Sequence, residues 1–562
     1  MDIYNINTQK DYFERYESFF SKNKKMDDTT SNTMYKFLKL IHSGILKSRQ
    51  FIDNEEYSMA ILYLLSLWDT NVLVKVMVSN ILFGDSIYKL GTDKHHFIFD
   101  ELDSGKAVGC FCMTELSGGS DVQHLKTEAI YNHKTREFII NTPELYNVKY
   151  WVGNLADTAN YTLLFAKLII DGKSYGTHSF LIKIRDIVNG SPVSNTVIGS
   201  CGEKKSHNGL DNGWIRFKNL HIPYDSLMDG FCRITKKGEY EKDVKNVFIK
   251  TISSLTKGRK YHALGAESFI NIGAKIVHNY SLTRKPFKDK KIIDYQIVKN
   301  KLISIMTKSY CRTLTLMEIP LVDRTSGILC GFKAYSTEQS VKDLMTLREL
   351  LGGQGFDILN RFGYLLNTAD LFRTTEGSND LMRQMHIGLF LKSNKELLTQ
   401  SDYIINKPNE INIDLIMEYM ENEKIKLLKK LANYYFSGEW DKYGTIVSNF
   451  SSQFIEFTVF EHCYKRIKKL RHNIKNLNSN SHPNDQLDLK LLTNFLKIYW
   501  IEINNIDTTM YDRYVQLINS CYEHINYIMS KFYIPGYMIN DIPAIQENFA
   551  EYMIKIKHIS RL

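Results

Sequence analysis

"GCFCMTELSGGSDVQ", residues 109–123, is where the texture of this chain changes. Upstream, apolar residues recur at helical spacing, as in "TMYKFLKLIHSGILK" at 33–47. From residue 109 a short apolar run ends in Thr-Glu-Leu and a glycine-rich loop, which reads as a strand leaving into a turn. "EFIINTP" at 137–143, "YTLLFAKLII" at 161–170, "HSFLIKIRD" at 178–186 and "GWIRFKNLHIP" at 213–223 continue the pattern, rich in β-branched and aromatic residues and punctuated by Gly, Asn and Asp. Helical spacing returns near 241 and persists through "ALGAESFINIGAKIVHNYSLTRKPF" (263–287) and "DYQIVKNKLISIMTKSYCRTLTLM" (294–317). The fold expected is α+β and mostly α, with a β unit inserted between helical ones.

The glycine loop lacks both the G-x-x-x-x-G-K-[ST] and the G-x-G-x-x-G pattern, which argues against a P-loop and a Rossmann dinucleotide site. At 562 residues the chain exceeds one core, and 43% hydrophobic residues with nine prolines exclude a mostly disordered protein. Lysine and arginine exceed aspartate and glutamate by 72 to 62, an excess that suits any anionic partner and chooses none. The densest basic patch, "YKRIKKLRH" at 464–472, reads as a solvated helix face. Eight cysteines form no C-x-x-C pair, so neither a zinc site nor a disulfide framework is expected.

"MAILYLLSLWDTNVLVKVMV", from residue 59, is broken at Trp68-Asp69 and again at Lys75, and reads as buried helix rather than a membrane span. The start of the chain lacks the features of a secretory signal. Ser560-Arg561-Leu562 is close to the Ser-Lys-Leu peroxisomal address. The polar tract "NIKNLNSNSHPNDQ" at 473–486 reads as an exposed loop.

Two segments carry candidate chemistry. In "KYWVGN", 149–154, Trp151 is either a core aromatic beside a turn or a wall for a flat ring. In "TTEGSND", 374–380, Glu376 precedes a helix for which Ser378 is a good N-cap, so the glutamate is either a helix-start ornament or a catalytic base.

Taken together, "GCFCMTELSGGSDVQHLKTEAIYNHKTREFIINTP", "KYWVGN", "YGTHSFLIKIRD" and "GLDNGWIRFKNLHIPYDSLM" resemble, in order and spacing, the β domain of the acyl-CoA oxidases, within the acyl-CoA dehydrogenase superfamily of flavoenzymes. "LGTDKHH" at 90–96, "YSLTRKPF", "DYQ", "RELLGGQGF" and "TTEGSNDLM" resemble that family's helical signatures, so the likeness covers about residues 60–400. It implies an N-terminal helical domain (1–107), a β-barrel-like middle domain (108–235), a helical-bundle domain (236–400) and a helical C-terminal domain (401–562).

The resemblance also implies FAD as cofactor, with Thr114 bonding the flavin and Gly153 against its ring, where a side chain would crowd the flavin face. Arg284 is implied to reach the FAD phosphates, commonly across a homodimer interface, where a guanidinium fork suits a pyrophosphate. Glu376 falls at the family's catalytic base. The implied reaction is oxidation of acyl-CoA to trans-2-enoyl-CoA with O2 reduced to H2O2 in the peroxisome, with an import receptor reading Ser560-Arg561-Leu562. No nucleic acid, metal or membrane span is implied. Thr114-Glu115-Leu116-Ser117-Gly118-Gly119-Ser120-Asp121 departs from the oxidases' usual Thr-Glu-Leu-Gly-His-Gly-Ser-Asn toward the dehydrogenases. The alternative is therefore an acyl-CoA dehydrogenase that passes electrons to an electron-transfer flavoprotein.

Overall fold

The apolar stretch that follows Met59 does not form one helix. Asp69 interrupts it: one carboxylate oxygen accepts from the backbone N–H of Asn71 at 3.0 Å and of Val72 at 3.3 Å, capping a second helix, and the other accepts from buried Lys36 at 2.7 Å. Lys75, the second interruption of the apolar run, lies inside that buried helix with its ammonium on Asn154, Thr158 and Asp211. Buried polar partners, rather than solvent, satisfy it. No helix among the described residues is long and apolar enough to cross a membrane.

The computed structural model describes residues 6–22, 28–253, 255–322, 325–399, 405–408, 410–475, 484–504, 508–532, 534, 541–546 and 552. Most of the tract at 473–486 and all of Ser560-Arg561-Leu562 lie outside the described residues. Two units are distinguished, residues 18–258 and residues 1–17 with 259–562. In chain order the first helices are α1 (Ile6–Lys22), α2 (Thr30–His42), α3 (Ser48–Asp53), α4 (Glu55–Trp68), α5 (Thr70–Val76), α6 (Ser86–Leu90), α7 (Phe97–Asp103) and α8 (Val247–Ser253).

Between α7 and α8 run β1 (Gly109–Cys112), β2 (Glu128–Asn132), β3 (Glu137–Asn141), β4 (Lys149–Val152), β5 (Tyr161–Ile170), β6 (Lys173–Lys183), β7 (Thr196–Ser200), β8 (Gly213–Phe217), β9 (Leu220–Pro223), β10 (Cys232–Ile234) and β11 (Tyr240–Lys242). The larger sheet has the order β1-β5-β2-β3-β9, with β6 also on β5. Strands β1 and β2 both pair in parallel with β5, at Tyr161–Leu164 and then at Lys167–Ile169, while β6 pairs antiparallel along its whole length. A second sheet, β4-β8-β7, shares one core with the first: Phe138, Phe180 and Ile182 pack in the same cluster as Val152, Ile215 and Phe217. This curled, barrel-like β layer is the expected middle architecture. A π-helical segment, Met77–Asp85, abuts β1 so closely that a Cβ on Gly109 would lie 2.1 Å from the Phe83 ring. Only glycine admits that approach.

The other unit is built of α9 (Thr256–Thr283), α10 (Gln296–Glu318), α11 (Ser326–Leu350), α12 (Phe362–Phe372), α13 (Asn379–Ser393), α14 (Ile413–Phe436), α15 (Gly444–Lys475), α16 (Asp485–Ile503), α17 (Thr508–Tyr522) and α18 (Ile525–Ser530). The basic patch lies on α15, with Ile467 and Leu470 buried and Lys465, Lys468 and Lys469 exposed, the amphipathic face its spacing predicts. "LGGQGF" ends α11 in a 3-10 turn whose Gly352 takes a left-handed φ of 59°.

Three helices of this unit meet on one buried arginine. Arg312 of α10 donates a fork to Glu267 of α9, at 2.7 and 3.0 Å, and reaches Asp343 of α11 at 3.2 Å. Burial pushes the Glu267 carboxyl up, while the two carboxylates hold the guanidinium charged. Replacing the cation alone strands two acids in the core. Arg312→Met is expected to destabilise this unit by about 3–5 kcal/mol, read as a lowered urea midpoint of the helical signal; an unchanged midpoint would show that the three helices do not depend on this contact.

Candidate functional site

At the exit of β1 the chain must turn away while keeping Thr114 beside β4, and Glu115 achieves this. Its buried carboxylate accepts from the backbone N–H of Lys126 and Thr127, both at 2.8 Å, from the Thr127 hydroxyl at 2.7 Å and from buried Lys149 at 3.0 Å. After burial, which acts against ionisation, Lys149 is the largest influence, and the net effect holds the Glu115 carboxyl below its usual range. With Glu115 pinned, the Thr114 carbonyl accepts from Tyr150 N–H at 3.0 Å, which places Thr114 against β4, the strand that Gly153 directly follows.

Beyond β4, Asn154 takes a left-handed φ of 67° and donates to the Gly109 carbonyl at 3.1 Å, tying the turn back to β1. A Cβ on Gly153 would meet Val78 of the π-helical segment at 3.0 Å, so a constraint from the protein itself already favours glycine there. Trp151 is 58% exposed with φ 61°. The core-aromatic reading is thereby overturned: left-handed backbone at the end of β4 turns the indole outward, where a flat surface is left uncovered.

In the helical unit, Arg284 follows the last residue of α9 and is exposed. It lies 22 residues beyond His262 on or just past the same helix, about 33 Å at 1.5 Å per residue. The structure therefore separates Arg284 from the surroundings of Glu376.

Glu376 sits in the loop between α12 and α13, with φ 54°, and Gly377 follows at φ 107°. The left-handed φ is what calls for glycine here; a Cβ on Gly377 would also lie 2.5 Å from the flexible end of Met382, which would have to shift. The Glu376 side chain is 10% exposed; Oε1 lies 3.7 Å from Nδ1 of His262, and Oε2 has no hydrogen-bond partner among the described residues. Burial drives its pKa up to about 7, opposed by the charges of Arg259 and Lys333. Ser378 does occupy the N-cap position of α13, but its hydroxyl makes no cap bond. The loop instead closes through Asn379, whose N–H donates to the Arg373 carbonyl at 3.0 Å, and Asp380 in the first turn pairs with Arg383 at 3.1 Å.

Arg259 and His262 on α9 and Lys333 on α11 were not singled out from sequence. His262 packs edge-on against Phe372, which ends α12, with ring centroids 4.6 Å apart. Arg259 is buried, with Nε and Nη1 lacking hydrogen-bond partners among the described residues. Unpaired donors and an unpaired carboxylate oxygen in one neighbourhood describe a site fitted for a proton transfer or a polar ligand rather than a finished salt bridge.

Residues 252–390 match the family model described as the acyl-CoA oxidase C-alpha1 domain. The chain is 33% identical over 399 residues to peroxisomal acyl-coenzyme A oxidase 2 of Arabidopsis thaliana, an alignment covering 66% of this chain and 58% of that protein. To peroxisomal acyl-coenzyme A oxidase 3 of the same plant it is 33% identical over 417 residues, covering 69% and 62%. The matched part thus spans less than two thirds of these relatives' own length. Among solved structures, acyl-CoA oxidase 1 of Yarrowia lipolytica superposes with a TM-score of 0.80 over 93% of this chain and 86% of that one, at 20% identity. Acyl-CoA oxidase-1 of Caenorhabditis elegans, complexed with FAD and ATP, gives 0.77 over 94% and 86%, at 17% identity.

A carboxyl whose pKa rises on folding stabilises the fold below its unfolded pKa and loses that contribution as pH climbs through about 7. Glu376→Gln, which is never charged, is therefore expected to be more stable than the native protein at pH 8, on the order of 3 kcal/mol. The gap should close by pH 4, and urea titrations at the two pH values measure it. A gap independent of pH would mean that the carboxyl is not buried in solution.

Proposed function

We propose, from the sequence matches together with the fold, that this protein is a member of the acyl-CoA oxidase family and an FAD-dependent acyl-CoA oxidase. It converts acyl-CoA to trans-2-enoyl-CoA with Glu376 as base. The observation that carries the reading is the buried Glu376 carboxylate, with Oε2 unpartnered and a pKa pushed up to about 7. A carboxylate in water is too weak a base for the α carbon of a thioester; one titrating near neutrality is a far better match.

The residues present fit a flavin. Exposed Trp151 offers a flat face, Thr114 beside β4 a hydroxyl, and Gly153 a backbone without a side chain. When bound, FAD supplies the redox chemistry, accepting the β hydride at N5 and being reoxidised by O2 to give H2O2. Glu376 takes the α proton on Oε2. His262 and Phe372 wall the carboxylate from water, and the charge of Arg259 limits how far its pKa rises. Arg284, far along α9 from this neighbourhood, is proposed to serve the cofactor phosphates of a partner protomer, making the functional unit a homodimer. The basic excess of the chain suits the anionic CoA moiety.

We further propose a peroxisomal location, as in the names of the Arabidopsis relatives, with an import receptor reading Ser560-Arg561-Leu562. The domain layout 1–107, 108–235, 236–400 and 401–562 is retained as part of this reading.

Purified yellow protein given saturated acyl-CoA in air should release peroxide with only transient flavin bleaching. Bleaching that persists in air without peroxide would instead favour the dehydrogenase alternative. Glu376→Gln should keep FAD and lose about 10²–10⁴-fold in turnover. For the native protein, kcat/KM should rise from the acid side through about pH 7 as Glu376 loses its proton. An acid limb near pH 4 would remove the assignment of a desolvated base.

A further inference from the structure

A non-glycine residue in the left-handed region is strained, by roughly 1–3 kcal/mol, and stays there only when its surroundings hold it. Glu376, at φ 54°, is such a residue. One buried side chain that the proton transfer does not use grips the loop on both sides of it. Lys333, on α11, is fully buried and donates to the Gly377 carbonyl at 2.7 Å, the Asn379 side-chain oxygen at 3.1 Å and the Arg373 carbonyl at 3.3 Å. Those acceptors bracket Glu376 on both sides in the chain. Asn379 returns the hold, donating to the Ala334 carbonyl and the Thr337 hydroxyl of α11, both at 3.0 Å.

An ammonium has three donors, and all three meet these oxygens. None meets the Glu376 carboxylate, although its charge is felt there. A direct salt bridge would depress the basicity of Glu376; a lysine engaged with the loop steadies the carboxylate while leaving Oε2 open. Burial lowers the Lys333 pKa to about 7, and the Glu376 charge is the chief influence opposing that fall. Arg259 and His262 of α9, Cys330 of α11 and Arg383 of α13 are the other titratable or charged groups around the pair.

Resting on the oxidase reading above, we propose that Lys333 is the positioning residue of this site: it fixes the loop from Arg373 to Asn379 so that Glu376 is presented in its strained backbone conformation with an unencumbered carboxylate.

The test is Lys333→Met in the full-length, FAD-loaded protein, with Glu376→Gln and the double variant alongside. Expected are retained FAD, a 10- to 100-fold fall in kcat with KM within about threefold, and no further fall when the change is added to Glu376→Gln. The Glu376 carboxyl, followed by infrared titration, should move below pH 7 as the relaxed loop lets water in. If Lys333 contributes charge alone, that midpoint moves above 7 instead, and the proposal is overturned. Equal losses in the native and Glu376→Gln backgrounds, or loss of FAD with a raised KM, would also overturn it. Should Lys333→Met fail to fold, Asn379→Ala decides by the same readouts, with a several-fold fall in kcat expected. If the native protein shows no acyl-CoA turnover, the oxidase reading has failed, and the infrared titration still reads the loop.

Discussion

The helical unit depends on what burial does to charge. Arg312 and its two acids form a paired set: the fork and the third contact bind the cation to both carboxylates, and three helices are pinned as a result. The neighbourhood of Glu376 is the opposite arrangement. Two cations and a histidine lie around one carboxylate without a hydrogen bond to it, so burial is only partly offset. The difference between the two clusters is one of geometry, since both are buried and both mix acids with bases. A scaffold stiffened by the first can hold the second in a state of unrelieved electrostatic tension, which is what acid–base chemistry at neutral pH demands.

The β unit solves a different problem, the placement of a backbone. Glu115 accepts four hydrogen bonds to fix the turn after β1, and Asn154 ties the turn after β4 to the same strand. Both are buried polar residues at the ends of short strands, where the ladder runs out and side chains must take over from backbone pairing. The outward Trp151 and the bare Gly153 are products of this bracing.

Much of this was legible in the sequence, for physical reasons. Period-two strands with turn residues between them, and long helical runs, are local patterns, and both are where they were expected. Asp69 was legible as a helix break because capping is local; the partners that let Lys75 stay buried inside its helix, Asn154 and Asp211, were not, because they come from loops distant in the chain. The same distinction divides the site. Thr114, Gly153, Arg284 and Glu376 were nominated through motifs that resemble a family's, whereas Arg259, His262 and Lys333 carry no local mark, since a lone cation on a helix reads as solvated until tertiary packing buries it. Ser378 shows the converse: the right residue for a cap stands in the right place, and the tight loop directs the hydrogen bonds elsewhere.

The left-handed backbone of Glu376 has an evolutionary corollary. Glycine would occupy that position without strain and without a desolvated acid, so drift under selection for folding alone runs toward losing the carboxylate. Under the proposed role of Glu376 as base, thermodynamic robustness and catalytic competence pull in opposite directions at a single codon, and demand for turnover keeps a glutamate there.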